Sequence, residues 1–460
     1  MSAGMRNQAE LYVHFPTVTP YGETIVGLDY DNSEIETLTA THEIDPISRR
    51  LPSESCTFTI IDDYDEPKFN PDNPATGDFC TQFVKGVPFY VYYGMTKDDG
   101  TIMYATEYDT YYLTDKPTVN DNKVTFTGVT RMGVLQENEA EFQETRAQRA
   151  VQGAVNTLGE LAGYVAADYG LTSSQVDFDD VSDEDVDPTQ GVIPADTHQN
   201  CLLYLAHAGA AMLYTKRDKV TIARSPMIES SSLTPVAVID KDSIFENTLK
   251  FSLSPKLRNM ICKAKDYKQF GFVTIFDGKI EKVSSTELDY TITFEDGDVL
   301  HNPTGTGACY QILGDTNGIV DSIDEYQHQL VLHCVFPTGV TESDVKIRAW
   351  LQSDKGVIYT VQKNATGEDN IEDNTLVTTV NDITGIGAYD YLYQFAYRIS
   401  TYLANENTYE FEYRGNPLLE CGDIVTIQTD YADELTCVVL RNEISFSGAY
   451  RGKMLVKVVA

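Results

Sequence analysis

Alternation of apolar and polar residues dominates both ends of the chain. From Ile102 to Leu113, the residues Ile102, Tyr104, Thr106, Tyr108, Thr110 and Tyr112 fall on one side of an extended backbone, and Met103, Ala105, Glu107 and Asp109 on the other. This is the period of two that a half-buried strand requires. Phe89 to Tyr93 (FYVYY) is a run of strand formers ahead of it, and Asp98, Asp99 and Gly100 between the two supply the positive φ of a tight hairpin. Lys123 to Thr127 alternates again, with Val124 and Phe126 facing one way. Residues 1–140 are therefore predicted to form a small twisted sheet or barrel.

At Thr145 the period changes. Ala147, Val151, Ala154, Leu158, Leu161 and Val165 recur every three or four residues, which predicts an amphipathic helix ending near Gly170, with Thr145 and Gln148 at capping-box spacing. Leu171 to Gln190 holds the acids Asp177, Asp179, Asp180, Asp183, Glu184, Asp185 and Asp187 and no Lys or Arg, and reads as a loop with Pro188 near its end. A second helix is predicted from about Asp196, capped with Gln199, carrying Leu202, Leu205, Ala206 and Leu213 on one side. A turn at Lys216, Arg217 and Asp218 leads into a strand from Val220 to Ala223. Between about 265 and 370, short strands are separated by turn chemistry at 277–279 (DGK), 295–298 (EDGD) and 302–307 (NPTGTG). A helix from Tyr389 to Leu403 follows, and then strands from Ile424 to Ile427, Thr436 to Arg441 and Lys453 to Val459. The expected organisation is a first β-barrel domain (1–140), an α+β domain of two helices and a hairpin (141–264), an inserted β-rich domain (265–370), and a helix with a second β-barrel (371–460).

An internal echo links the two ends. Gly86-Val87-Pro88-Phe89-Tyr90-Val91, the hairpin at Asp98 to Gly100, a long strand and a closing strand from Lys123 have a counterpart. There Gly422-Asp423-Ile424-Val425-Thr426-Ile427 leads to a turn at Tyr431 to Glu434, a long strand and a closing strand from Lys453. Either the two barrels are a duplicated fold, or two antiparallel meanders share a common spacing.

Composition narrows the functional classes. In 460 residues there are 34 Lys+Arg and 70 Asp+Glu, a formal charge of −36, which disfavours attraction to nucleic acid or anionic lipid. The 29 Tyr and 19 Phe are those of a chain with aromatic cores and not of an acidic disordered tail. No stretch approaches the roughly 18 apolar residues of a membrane span, and the opening MSAGMRNQAELYVHF lacks the apolar run of a secretory signal. The chain is expected to be made and kept in the cytoplasm until assembly. Eight Cys (Cys56, Cys80, Cys201, Cys262, Cys309, Cys334, Cys421, Cys437) occur with no CxxC, and read as buried free thiols.

Motifs for chemistry are absent. The acids from Asp177 to Asp187 lack the central Gly and distal Glu of an EF-hand loop. Asn302 to Cys309 (NPTGTGAC) is Gly-rich but has no GK[ST] ending. His328 and His333, beside Cys334, fall on opposite faces of a strand, and His198 and His207, nine apart on a helix, point in opposed directions. No GxSxG elbow occurs, and the abundant acids leave a two-carboxylate hydrolase site unsupported. No catalytic, cofactor-binding or metal residue is assigned, no cofactor is expected, and the chain is not read as an enzyme.

Several segments carry a family resemblance. They are IDPISRRLP (44–52), CTFTIID (56–62), KFNPDNP (68–74), KGVPFYVYYG (85–94), LYTKRDKVTIAR (213–224), YRGNPLLECGDIVTI (413–427) and EISFSG (443–448). Together they resemble the tail hub or baseplate hub proteins of tailed phages, prophages and phage-tail-like bacteriocins, over about two thirds of the chain. The resemblance implies a mainly β fold with two related tube-type β-barrels, a small helix-containing domain and a β-rich insertion. It also implies a structural virion protein that forms a homotrimer of six barrels, joins the tail tube to a central spike or tip, and lines the channel for DNA ejection. Its implied partners are the tail tube protein, the spike or tip protein and peripheral baseplate proteins, with no specific nucleic-acid binding and no membrane insertion. The implied place is the virion tail or baseplate, assembled in the host cytoplasm. A second reading is a tail-tip adaptor or host-surface binding protein whose 265–370 insertion carries a carbohydrate face around Trp350, the single Trp. A third is a cell-wall hydrolase riding on a hub.

Overall fold

The structure, a computed structural model, describes residues 8–18, 25–62, 69, 83–96, 102–105, 108–137, 156–183, 188–189, 193, 196–226, 233–253, 259–265, 268–283, 285–295, 298–301, 308–353, 358–364, 375–380, 388–404, 407–430 and 434–459. Its N-terminal part is antiparallel sheet: β1 (Gln8–Val18), β2 (Ile25–Asp31), β3 (Ile35–Glu43), β4 (Ser53–Ile61), β5 (Pro88–Thr96), β6 (Ile102–Tyr104), β7 (Asp109–Leu113), β8 (Thr118–Asn120) and β9 (Lys123–Val129). Period-two patterning decides the faces. Cys56, Phe58 and Ile60 of β4 and Val124 and Phe126 of β9 are buried, while Thr57, Thr59, Thr125 and Thr127 point the other way. The buried side is aromatic, and the Phe58 and Phe126 rings stack 4.7 Å apart. The strand predicted from Ile102 to Leu113 is two pieces, β6 and β7, each paired with β5.

The next segment holds α1 (Arg131–Glu137), β10 (Asn156–Thr157), α2 (Leu158–Tyr169), β11 (Val176–Asp177), β12 (Pro188–Thr189), α3 (His198–Ala208), the hairpin β13 (Ala211–Lys216) and β14 (Lys219–Arg224), β15 (Ala237–Ile239) and β16 (Lys250–Leu253). Three expectations are corrected here. The helix starts at Leu158, where Thr157 and Glu160 form the capping box, because the two residues before it pair as β10 with β12. Thr145 and Gln148 lie outside the described residues. The cap of α3 is Thr197, whose hydroxyl accepts from the Asn200 N–H, while the Asp196 carboxylate accepts from Asn200 Nδ2 and the Tyr204 hydroxyl. Leu213 belongs to β13, not to the helix. Within the acidic stretch, Asp179–Val181 is a 3₁₀ turn that buries Val181. The Arg217-Asp218 turn has φ of 43° and 68°, as a tight two-residue hairpin requires.

The segment expected as an insertion, 265–370, falls within ten strands: β17 (Asn259–Lys265), β18 (Lys268–Glu281), β19 (Glu287–Thr293), β20 (Asp298–Leu300), β21 (Tyr310–Asp315), β22 (Val320–Glu325), β23 (Gln329–Val335), β24 (Glu342–Ser353), β25 (Ile358–Asn364) and β26 (Thr375–Val380). Ile280, Leu300, Leu330, Leu332 and Ile347 form the core shared by β18 to β24. The DGK segment is not a turn. Asp277, Gly278 and Lys279 continue β18 opposite Lys346, Val345 and Asp344 of β24, just after a register shift at Thr274/Phe276. The NPTGTG segment at 302–307 lies outside the described residues.

The C-terminal part is α4 (Ala388–Ala404), β27 (Asn407–Tyr413), β28 (Ile424–Ile427), β29 (Leu435–Phe446) and β30 (Tyr450–Val458). One strand, β29, absorbs both the predicted strand at Thr436 to Arg441 and the EISFSG segment up to Phe446.

Both ends meet in one 15-stranded sheet with the order β16-β27-β30-β29-β3-β4-β9-β7-β5-β1-β2, β28 pairing β29 beside that path. It contains the same antiparallel neighbour order twice. Unit one is β3-β4-β9-β7-β5 and unit two is β16-β27-β30-β29-β28. The turn entering each unit's hairpin is the same to the hydrogen bond. The Val87 N–H donates to the Val84 carbonyl, Gly86 to Leu113, and Leu113 to Val87; the Asp423 N–H donates to Glu420, Gly422 to Val439, and Val439 to Asp423. Gly86 and Gly422 have φ of 86° and 89°, which glycine adopts without steric cost. The echo in the sequence is thus a repeated topology. The closed barrels expected are not seen among the described residues: unit one continues into β1 and β2, and its β3 edge is taken by β29, so the sheet stays open.

Candidate functional site

The seam where the units join is the structural centre of the chain. β29 pairs β28 through Leu435 to Val438 and β3 through Arg441 to Phe446. The seam register places Arg441 opposite Glu43, Glu443 opposite Thr41, Ile444 opposite Ala40, and Ser445 opposite Thr39. Ile444 and Phe446 therefore enter the aromatic core of unit one. Behind the seam, the buried Asn442 amide donates to the Leu419 carbonyl and its oxygen accepts from the Tyr413 hydroxyl.

Opposite that core, the sheet presents a polar face that runs from unit one across the seam onto part of unit two, where the same side also carries Val438 and Leu455, packed under the helices. Unit one contributes Thr39, Thr41, Ser55, Thr57, Thr59, Thr125 and Thr127; unit two adds Glu443, Ser445, Thr408 and charged pairs. Antiparallel sheets tolerate water on one side, and alternation produces this division. The cations on β9, β29 and β30 at this face are paired. Lys123 meets Glu36 at 2.5 Å, Arg441 meets Glu410 at 2.6 Å and Glu43 at 3.6 Å, and Lys453 meets Glu410 at 3.0 Å. Arg451 is paired with Glu412. The hydrogen bond from Lys453, with Arg441 and Lys250 nearby, holds the Glu410 carboxyl below its ordinary range against the opposing effect of burial. Hydroxyls and compensated charges give this face no concentrated positive potential with which to grip a phosphate backbone.

The β13-β14 hairpin clamps the two units from the side. Arg217 reaches Asp109 of unit one at 2.6 Å and Glu420, in the turn before β28, at 2.9 Å. Burial pushes the carboxyls of Glu420 and Asp423 above their ordinary values, with Arg217 and Lys216 pulling the other way. The buried Glu54 accepts from the Thr215 N–H at 2.8 Å and from the Thr130 hydroxyl at 2.5 Å. Arg131 and Tyr112 both bind Asp218. These acids are engaged in joining elements.

Residues singled out by sequence are dispersed. His333 stands on the solvent face of the insertion between Asp289 (2.7 Å) and Asp324 (3.0 Å), which raise its pKa. His328 lies against the Ile193 carbonyl, and Cys334 is buried. His198 meets Asp168 at 3.0 Å, and His207 meets the Ile47 carbonyl at 2.8 Å. Trp350 is half-buried on β24, edge-on to Phe272 at 4.9 Å, with its Nε1 buried; it is not a free stacking platform. Cys56, Cys201, Cys262, Cys309, Cys334, Cys421 and Cys437 are buried free thiols, and Cys80 lies outside the described residues. Among the described residues no group of three His, Cys, Asp or Glu is placed to hold a metal ion, and no helix is long and apolar enough to cross a membrane. The seam was missed from sequence. Its only local signal was the polar alternation of Arg441, Glu443 and Ser445, which does not name a partner.

No protein-family model matches the chain, and no curated protein matches it. Among solved structures it is similar to the tail protein from Neisseria meningitidis MC58, at 10% identity and a TM-score of 0.48, over 98% of this chain and 96% of that one. It is also similar to the 43 kDa tail protein of prophage MuSo2 from Shewanella oneidensis, at 11% identity and a TM-score of 0.46, over 97% of this chain and 98% of that one. A third similarity is to prophage tail protein gp18 from Listeria monocytogenes, at 7% identity and a TM-score of 0.44, over 97% of this chain and 94% of that one.

Proposed function

We propose that the chain is a structural protein of a phage-type tail or baseplate. In this reading it is the hub whose homotrimeric ring joins the tail tube to a central spike or tip and surrounds the DNA channel. The observation that carries the proposal is the repeated five-strand topology fused edge to edge through β29 and β3. A chain holding two like units in one continuous sheet turns three copies into six similar units, so one gene product can match a sixfold tube on one side and a threefold spike on the other. The hydroxyl-lined, charge-compensated sheet face suits a channel wall. The overall charge of −36 disfavours capture of passing DNA within a Debye length of about 8–10 Å. No catalytic step is part of the proposal.

Negative-stain imaging with mass determination at high protein concentration tests it. A threefold ring with a central hole and about three times the 51.3 kDa of one chain is the expected result. A monomer that stays monomeric with tube and spike proteins added would overturn it.

A further inference from the structure

The intrachain seam is made by two kinds of edge, and each kind occurs once more in the molecule with nothing on it among the described residues. The β29 edge that meets β3 lies beside β30. The β3 edge lies beside β4, whose counterpart in unit two is β27. Aligning the units on their shared pairings makes Gly128 equivalent to Val456, and Cys56, opposite Gly128, equivalent to Tyr409, opposite Val456. Phe251, opposite Tyr409, then takes the place of Ala40, opposite Cys56. Lys250 takes the place of Thr39, and Ser252 that of Thr41. On the other side, Val119 pairs Val124 as Ile444 pairs Gly452, so Thr118, Val119 and Asn120 of β8 stand where Glu443, Ile444 and Ser445 stand in β29. Facing agrees throughout. Val119 packs on the core of unit one as Ile444 does, and Thr118 and Asn120 are exposed on the polar side.

Both unused edges are short, and one carries an exposed aromatic. β16 has β27 as its strand partner and β8 has β9. Phe251 on β16 is 49% exposed, its ring 5.0 Å from that of Tyr409. An open edge carrying an exposed aromatic invites pairing with another strand.

We infer that β8 of one chain pairs antiparallel with β16 of the next, repeating the β29-β3 seam between copies. The register that the intrachain seam dictates puts Thr118 opposite Ser252, Val119 over Phe251, and Asn120 opposite Lys250. The contact is heterologous, because β8 and β16 are different surfaces, so it propagates from copy to copy and closes wherever the rotation per unit divides a full turn. The inference rests on the hub reading only for the number of copies; the pairing itself comes from the repeat.

Cysteine cross-linking in the full-length chain tests it. Directly opposed residues of an antiparallel pair have Cα atoms about 4.5–5.5 Å apart, within the span a disulfide needs, whereas a partner displaced by two residues lies at about 7–8 Å. Under mild oxidation, Thr118→Cys with Ser252→Cys is expected to convert the single-chain band into a covalent trimer. Asn120→Cys with Lys250→Cys is expected to do the same, while the displaced pair Thr118→Cys with Lys250→Cys and each single variant remain as single chains. All four positions are exposed, so the substitutions leave the core intact, and light scattering on the same samples gives the uncross-linked mass. A trimer by mass without cross-links in either matched pair overturns the seam and leaves the hub reading standing. Cross-linked ladders running past three with no trimer end-point uphold the seam and overturn the trimeric hub. A monomer without cross-links overturns the seam.

Discussion

The two five-stranded units share strand order, hairpin turn and register, yet their cores differ in kind. Unit one is filled by rings: Phe15, Phe58, Phe83, Phe89 and Phe126 are linked by ring contacts with centroids 4.7–6.3 Å apart. At the places of Phe89 and Phe126 unit two carries Val425 and Met454, at those of Leu113 and Gly128 it carries Val439 and Val456, and Phe411 stands for Phe58. Phe126 and Met454 occupy the same position, each opposite a Phe of the neighbouring strand, Phe58 and Phe411. The surroundings differ as well. Unit one is extended by antiparallel β1 on β5, whereas unit two receives β15 parallel to β28 and is covered by helices whose core includes Ile424, Val438 and Leu440. The topology thus survives on the in-out alternation and the glycine turn, while volume is supplied by whichever apolar residues fit.

The most damaging way to probe this difference is to empty the shared position. Phe126→Ala removes a fully buried ring and is expected to cost about 3–5 kcal/mol, against about 2–5 for Met454→Ala. Native-state hydrogen exchange resolves the two, because it reads local opening in a chain too large for one two-state transition. The expected pattern is lost protection in β4 and β9 for Phe126→Ala, exceeding the loss in β27 and β30 for Met454→Ala. A larger effect at Met454 would mean that the aromatic unit is not the more dependent on its packing.

Next in size is the glycine turn. Gly422→Val forces a β-branched residue to φ 89° and brings its Cβ to 3.3 Å from Met212 Cε, whereas Gly86→Val at φ 86° meets nothing within 4 Å. Backbone strain of about 1–3 kcal/mol is expected in both, with a further loss at Gly422 alone and weaker ring assembly measured by sedimentation. Equal losses would show that the Met212 contact is idle, and unchanged assembly for Gly422→Val would count against the second unit as a ring element.

The smallest expected effect concerns charge at the seam. Glu410 is held below its ordinary value by Lys453 first and then Arg441 and Lys250, so its contribution is present above the unfolded glutamate range and is lost as pH falls through the folded value. Glu410→Gln is expected to weaken protection of β27 by about 0.2–1 kcal/mol at pH 7, the difference from the parent vanishing in acid. A difference that grows on acidification would contradict the assigned pairing.

Sequence showed the strands wherever alternation was local: β5, β9, the turn into β14 and the entry to β28 all follow from period and turn residues. It missed what depends on a distant partner. Asp277-Gly278-Lys279 carries turn chemistry but is held extended by β24, whose residues lie far along the chain. The helical periodicity from Ala147 onward gave no sign of the β10-β12 pairing that sets the start of α2 at Leu158. The repeat was visible through Gly86 and Gly422, but the seam was not, since it joins Ala40 to Ile444 from opposite ends of the chain. No chemistry-bearing motif was present to mark a site, and the candidate surface proves to be a sheet face spread over many ordinary Thr, Ser and Glu positions.

The most direct test is an unsymmetrised single-particle reconstruction of the assembled protein, analysed for rotational symmetry level by level. Sixfold rotational power is expected where β3, β29, β8 and β16 lie, with threefold power at the level of the insertion. Threefold power alone at every level, or separate units with no continuous sheet around the hole, would contradict the equivalence of the two units.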